Sequence, residues 1–295
     1  MRRALDYGNG VVSLEEEAQA YVDPESVLES LTEVFQSPGY EPPIAPAVAL
    51  ELLELSRKPE VSFGAVRHVM ERDPLIAAKV LRTAQSAAYS SGDNVIRTLD
   101  DALVRIGLKT LSNLFMESAM RMKVFRAVGF EAPMKELARH SAATAHLARH
   151  LARRTALFDE HLFLCGLLHD IGIAAGFIAL TQLQRGKTVP AFDDVWPGVC
   201  GAHEMASDKV CRAWKLPPDI ALIVGHHHQV TVGGHVHPMA AVLSLSDWVA
   251  GELGFAMETE ALRPLPHHLA VLGLTDANLH GLVTECKDVV ARVED

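Results

Sequence analysis

His169 and Asp170 stand side by side in Leu167-Leu168-His169-Asp170-Ile171-Gly172, two metal-ligand side chains at the polar end of an apolar run. Glu136 and His140 lie upstream at i,i+4 spacing, which puts them on one face of a helix. Downstream come His203, the run His226-His227-His228, and Asp247. Imidazoles and carboxylates mixed in this way, without a thiolate, suit a divalent metal or an iron pair. Each residue alone is an ordinary solvated or hydrogen-bonded side chain. Several separate segments contributing ligand types make the set a candidate centre.

The neighbours of each candidate sharpen this choice. Asp247 sits among Leu243, Leu245, Trp248 and Val249, and a carboxylate buried there needs a cation or strong hydrogen bonds. His203 precedes Glu204, which resembles a helix start. On a helix turning about 100° per residue, three consecutive histidines cannot share one direction. His226 and His227 are therefore favoured as ligands, and His228 is expected to be solvated. His146 and His150 lie well round the helix from His140 and are expected at the surface. His235, His237, His267, His268 and His280 show no partner pattern.

The elements that must carry these residues are helical. Pro42-Pro43 and Pro46 mark an extended entry to a helix through Leu50 and Leu55, and a second runs from about 62 to 70. Asp73-Pro74 reads as an N-cap followed by a first-turn proline. Residues 90–94 read as a loop. Thr98 and Asp101 resemble a capping box, and Gly107 marks a bend or helix end. A boundary falls near 128–133. Helices are expected at about 134–154 and 160–168, irregular chain from Leu183 to Gly201, then helices at about 202–214, 219–228 and 239–253. A last amphipathic helix spans 275–293. Alternating β-branched runs do not recur.

The chain has 295 residues, 49% of them hydrophobic, enough for a substantial core. Its formal charge is −10, which disfavours a nucleic-acid partner. The stretch from Thr98 to Met122 imitates a helix-turn-helix, but packed core helices are the preferred reading. Cys165, Cys200, Cys211 and Cys286 lack the spacing of a zinc site or a disulfide framework and read as free thiols. No signal-peptide core follows Arg2-Arg3, the chain turning acidic at Glu15-Glu16-Glu17, and no uninterrupted apolar run reaches bilayer length. A soluble, cytoplasmic protein without a membrane partner is expected.

Two regions together resemble the HDOD family, helical regulatory relatives of the HD phosphohydrolases. The first joins Pro42-Pro43-Ile44-Ala45-Pro46 to the segment from Glu71 to Arg82, then to 85–89 and to Leu99 through Gly107. The second joins Arg139-His140-Ser141, Gly166 through Gly172, and Trp214-Lys215-Leu216-Pro217-Pro218. The resemblance implies an all-α fold in which an N-terminal helical half packs on an HD-like helical half. It divides the chain into a 1–25 extension, a 26–130 N-terminal part, a 131–255 metal-binding part and a 256–295 tail.

His140, His169, Asp170 and Asp247 fit the ligand pattern of the wider HD superfamily. Glu136, His203, His226 and His227 resemble the larger set of the HD-GYP phosphodiesterases. There the likeness stops. Ile173 stands where a lysine usually follows the His-Asp step, and Gln229 to Gly234 lacks the Gly-Tyr-Pro loop. The resemblance thus implies a signalling protein with a retained metal site, acting through a protein partner. The alternative is a metal-dependent phosphohydrolase acting on a nucleotide or cyclic dinucleotide, and a nucleotide ligand fits either. Iron, manganese, zinc, magnesium and nickel are not distinguished.

Overall fold

A computed structural model describes residues 23–86, 89, 96–155, 157, 159–183, 189–257 and 262–291. The expected loop at 90–94 lies outside the described residues, as does most of the 1–25 extension. The rest is helical, apart from a two-stranded hairpin of β1 (Thr231–Val232) and β2 (His235–Val236).

The N-terminal half holds α1 (Pro24–Gln36), α2 (Ala47–Ser56), α3 (Phe63–Glu71), α4 (Pro74–Ala84) and α5 (Leu99–Ala119). Their starts follow from local chemistry. Asp73 accepts from the Ile76 amide and precedes Pro74, so it satisfies an orphan donor at the start of α4. Thr98 and Asp101 form a reciprocal capping box, with both bonds between 2.9 and 3.0 Å. Gly107 interrupts α5 with φ 77 and ψ 161, a left-handed backbone that only glycine adopts cheaply, and the helix restarts at Leu108. Arg121 and Lys123, just beyond α5, pair with Glu117 and Asp73.

The HD-like half is built from α6 (Glu131–Thr155), α7 (Asp159–Leu168), α8 (Ile171–Leu183), α9 (Phe192–Ala213), α10 (Pro218–Val224) and α11 (Pro238–Ala250). A tail of α12 (Pro266–Val271) and α13 (Asp276–Val290) closes on it. One apolar core runs from Val27 to Leu243 through both halves, and a second lies between α6, α11 and α13 around Leu147, Leu245 and Leu282. The stretch 161–183 is long and apolar enough to cross a membrane, but its most apolar 18-residue window is 94% buried in the fold and the His169-Asp170 turn divides the stretch. Burying side chains such as Phe163 and Phe177 stabilises the fold by about 1.5–3 kcal/mol each.

Two expectations are corrected here. The part of the expected irregular segment from Phe192 to Gly201 is helical, because α9 begins at Phe192 and runs through Pro197, while residues 184–188 lie outside the described residues. Pro197, the sixth residue of α9, removes one amide from the hydrogen-bond ladder, while Asp193 and Asp194 favour that end electrostatically. Packing completes the case: a Cβ at Gly198 would meet Val27 at 2.6 Å, so the glycine admits α1 against α9. The second correction is His146, which is buried rather than at the surface. Its Nε2 lies 3.2 Å from Glu117 on α5.

Candidate metal centre

The His169-Asp170 step sits in the turn between α7 and α8, and two glycines deliver it to its neighbours. A Cβ at Gly166 would meet the Ala145 backbone at 2.7 Å, so α7 closes on α6, which carries His140. A Cβ at Gly172 would meet the His203 carbonyl at 2.0 Å, so α8 closes on α9. Ser207 locks this junction, donating to the His169 carbonyl at 2.8 Å and accepting from the Gly172 amide at 2.9 Å. Asp247 arrives on α11. His227 and His228 arrive in the turn that follows α10.

The side chains form two lobes that share Asp170. In one, His140 Nε2 lies 3.0 Å from His169 Nε2, 3.1 Å from Asp247 Oδ1 and 3.4 Å from Asp170 Oδ2. His169 Nε2 lies 3.2 Å from the same Asp170 oxygen. In the other, His203 Nε2 lies 3.3 Å from His227 Nε2 and 3.1 Å from His228 Nε2. Asp170 turns Oδ1 toward this group, 3.4 Å from His227 and 3.6 Å from His203. Ligand atoms about 2.0–2.2 Å from one ion stand roughly 3.0–3.5 Å apart, so both spacings fit an ion.

The tautomers point the same way. Nδ1 of His140, His169, His203 and His227 each donates to a backbone carbonyl, of Phe255, Gly166, Cys200 and Val224 respectively. A ring protonated at Nδ1 presents its lone pair at Nε2, and a carbonyl partner is the usual orienting contact for a metal-bound histidine. Four ring nitrogens and the Asp170 and Asp247 carboxylates therefore converge in a buried site, where either ring protons or a cation must lie between them. These residues fit a divalent metal.

Charge distinguishes the lobes. Burial alone would push the His140 imidazole down, but its bonds to Asp170 and Asp247 and the charge of Asp247 carry it up to about 9. Burial likewise opposes the charged form of His169, and the Asp170 charge overrides it to raise the ring well above its ordinary value. Burial would raise both carboxyls. The His169 charge and imidazole bonds instead hold Asp170 well below the usual range, and bonds to His140 and His169 hold Asp247 below it. The other lobe behaves oppositely: burial holds His203 below its ordinary value and pushes His228, beside His227 and His203, down to about 3.

Of the residues singled out from sequence, His140, His169, Asp170, Asp247, His203 and His227 come together. Glu136 and His226 do not. The Glu136 side chain is 51% exposed and pairs with Arg139 at 2.8 Å, and His226 turns back to the Leu222 carbonyl at 3.0 Å. His228 takes the place expected of His226, because the chain after Val224 is a turn and not a continuing helix. His203 lies in mid-helix, so its neighbour Glu204 is no start signal; that carboxylate accepts the His228 amide at 3.1 Å and steadies the turn. Ser207 escaped the sequence reading, although its i,i+4 spacing from His203 places it on the same face of α9.

Comparison with known proteins agrees with this fold. The HDOD domain matches residues 43–230. A structure of an HDOD domain protein from Geobacter sulfurreducens superposes with a TM-score of 0.63 at 20% identity, covering 92% of this chain and 95% of that one. A candidate metal-dependent phosphohydrolase from Shewanella amazonensis gives 0.65 at 22% identity over 90% and 99%. A candidate signal-transduction protein from Marinobacter aquaeolei gives 0.65 at 18% identity over 95% and 68%. Among curated sequences, Ribonuclease Y of Mycoplasma genitalium is 25% identical over 188 residues, 59% of this chain. The chain spans about a third, 34%, of that relative's length.

Proposed function

This chain belongs to the HDOD family, and from that premise we propose that it is a signal-transduction module built around a two-ion centre. One observation carries the reading: four imidazoles anchored through Nδ1 aim their Nε2 atoms into two lobes joined by one carboxylate. His140, His169, Asp170 and Asp247 would hold one ion, and Asp170, His203, His227 and His228 the other. Divalent ions there would supply Lewis acidity toward a phosphoryl or water oxygen.

The output is regulatory rather than hydrolytic. Ile173, where the resemblance leads one to look for a lysine, is 3% exposed and packed into the core, so that position offers no charge to seat a phosphate. Bound ions would instead clamp the junction of α6, α7, α9 and α11, and a partner protein reads the surface that this junction braces. The second reading is a phosphohydrolase, favoured by the carboxylate shared between two imidazole sets and by the names of two relatives, a candidate metal-dependent phosphohydrolase and a ribonuclease.

Elemental analysis of the purified chain, followed by incubation of manganese- and iron-loaded protein with nucleotides, cyclic dinucleotides and RNA, tests both. The regulatory reading expects stoichiometric metal with no multiple turnover. Turnover abolished by His169→Ala would replace it with the enzyme reading, and absence of metal would sink both.

A further inference from the structure

Three of the four anchored imidazoles take their Nδ1 partner from their own chain, three residues back. Gly166 serves His169, Cys200 serves His203 and Val224 serves His227. These rings are oriented as soon as the local turn forms. His140 differs. Its Nδ1 donates to the Phe255 carbonyl at 2.9 Å, 115 residues further along the chain. The Asp247 lobe therefore depends on a distant segment, whereas the lobe of His203, His227 and His228 carries its own anchors.

The segment that supplies this carbonyl is a wide π-type turn, Gly251–Phe255, which continues α11. At its start the Gly251 amide donates to the Asp247 carbonyl, so the turn grows out of a second residue of the same lobe. Near its end Gly254 adopts φ 86 and ψ 20, a left-handed backbone that glycine reaches without strain. Phe255 follows, and the tail holds it. The residue is 5% exposed, its ring lies 5.1 Å from the Arg139 guanidinium, and it belongs to the core that α13 builds on α6 and α11. Leu279, Leu282, Cys286 and Val290 of α13 enter that core from one helical face, so the helix docks as a unit.

We propose that the C-terminal tail regulates the ion of the Asp247 lobe: docked α13 holds Phe255, Phe255 holds His140, and the ion and the docked tail stabilise each other. The inference rests on the two-ion reading and adds the place where a signal reaches it. Orienting contacts of metal-bound histidines contribute roughly tenfold to a hundredfold in metal affinity. Coupling between two binding events is reciprocal, so an ion in this lobe also tightens the tail. A partner that draws α13 away releases that ion and leaves the other in place.

Zinc titration of the metal-stripped full chain, in competition with a chelating dye, tests this. Wild type, measured first, should show two sites. Gly254→Ala, which strains the turn in otherwise open space, and Leu282→Ala, which loosens α13, should each weaken one site by roughly tenfold to a hundredfold and spare the other. Two controls should change neither site: Gly107→Ala, at another left-handed glycine in open space, and Leu52→Ala, a buried truncation on α2. In wild type, EDTA should speed hydrogen exchange of α13 amides and leave α5 amides unchanged. If Leu282→Ala fails to fold, Gly254→Ala and the exchange measurement still decide. Two wild-type sites that Gly254→Ala leaves intact would overturn the inference and spare the two-ion reading. Equal weakening by either control, or α13 exchange indifferent to EDTA, would also overturn it. Wild type without zinc sites would remove the two-ion reading and this inference together.

Discussion

Glu117 with His146, and Asp170 and Asp247 with His140, are both buried acid–histidine contacts made along α6, and their chemistry differs. At the first, Arg149 donates to His146 Nδ1 at 3.1 Å, so Nε2 carries the proton and gives it to Glu117 at 3.2 Å. Arg121 completes the set 3.4 Å from the same carboxylate. Permanent guanidinium charge there neutralises the acid. At the second, Nδ1 is tied to a carbonyl, Nε2 points inward, and no Lys or Arg contacts Asp170 or Asp247 among the described residues. A buried carboxylate accompanied by arginine is complete in itself, whereas carboxylates accompanied only by inward-facing imidazoles can exchange the ring protons for a cation.

The strongest test of that contrast is Asp170→Ala. Both lobes lose their shared carboxylate, so metal content should fall from stoichiometric to near zero. Metal that binds only the native state adds stability by mass action, about 4 kcal/mol at a thousandfold excess over Kd. Chelation should therefore lower the melting temperature of the wild type and leave that of the variant unchanged. A variant that still carries full metal would break the comparison.

Glu117→Ala should do the reverse. Removing one partner of a buried ionic cluster costs about 3 kcal/mol, read by urea unfolding, while metal content is unchanged. Its pH signature follows from the sign of the shift. Burial would raise the Glu117 carboxyl, but the His146 bond and the Arg121 and Arg149 charges hold it below the usual range. A depressed folded value contributes stability above the unfolded value of about 4.3, lost as pH falls through the folded one. The stability gap between wild type and Glu117→Gln should thus narrow on acidification below about pH 4.3 and stay flat above it. A gap that narrows instead toward alkaline pH would contradict the assignment.

What the sequence makes legible is chemistry at short range. The His169-Asp170 step, the i,i+4 pairs and the Asp73-Pro74 and Thr98/Asp101 caps each depend on residues within a turn of one another. What stays hidden depends on distant partners. Burial of His146 follows from Glu117, which lies on another helix. The early start of α9 follows from the Val27 contact at Gly198, which outweighs Pro197 as a breaker signal. The HDOD resemblance supplied the frame that residue spacing alone could not.

The smallest expected effect separates neighbours in the histidine run. Helical projection favours His226 and His227, but the chain leaves α10 at Val224 and turns, so projection along a helix no longer applies. His226 bonds back to Leu222 and does not join either lobe, while His228 meets His203 at 3.1 Å at the more accessible edge of the centre. Burial beside two other imidazoles pushes the His228 ring down to about 3, so it is neutral and available as a ligand at physiological pH. His228→Ala should therefore release about one ion in two, with the Asp247 lobe still filled, whereas His226→Ala should retain both ions and change stability by no more than about 0.5 kcal/mol. Elemental analysis after dialysis reads the difference. Loss of metal from His226→Ala with retention in His228→Ala would return the helical reading to favour and dissolve the two-lobe description.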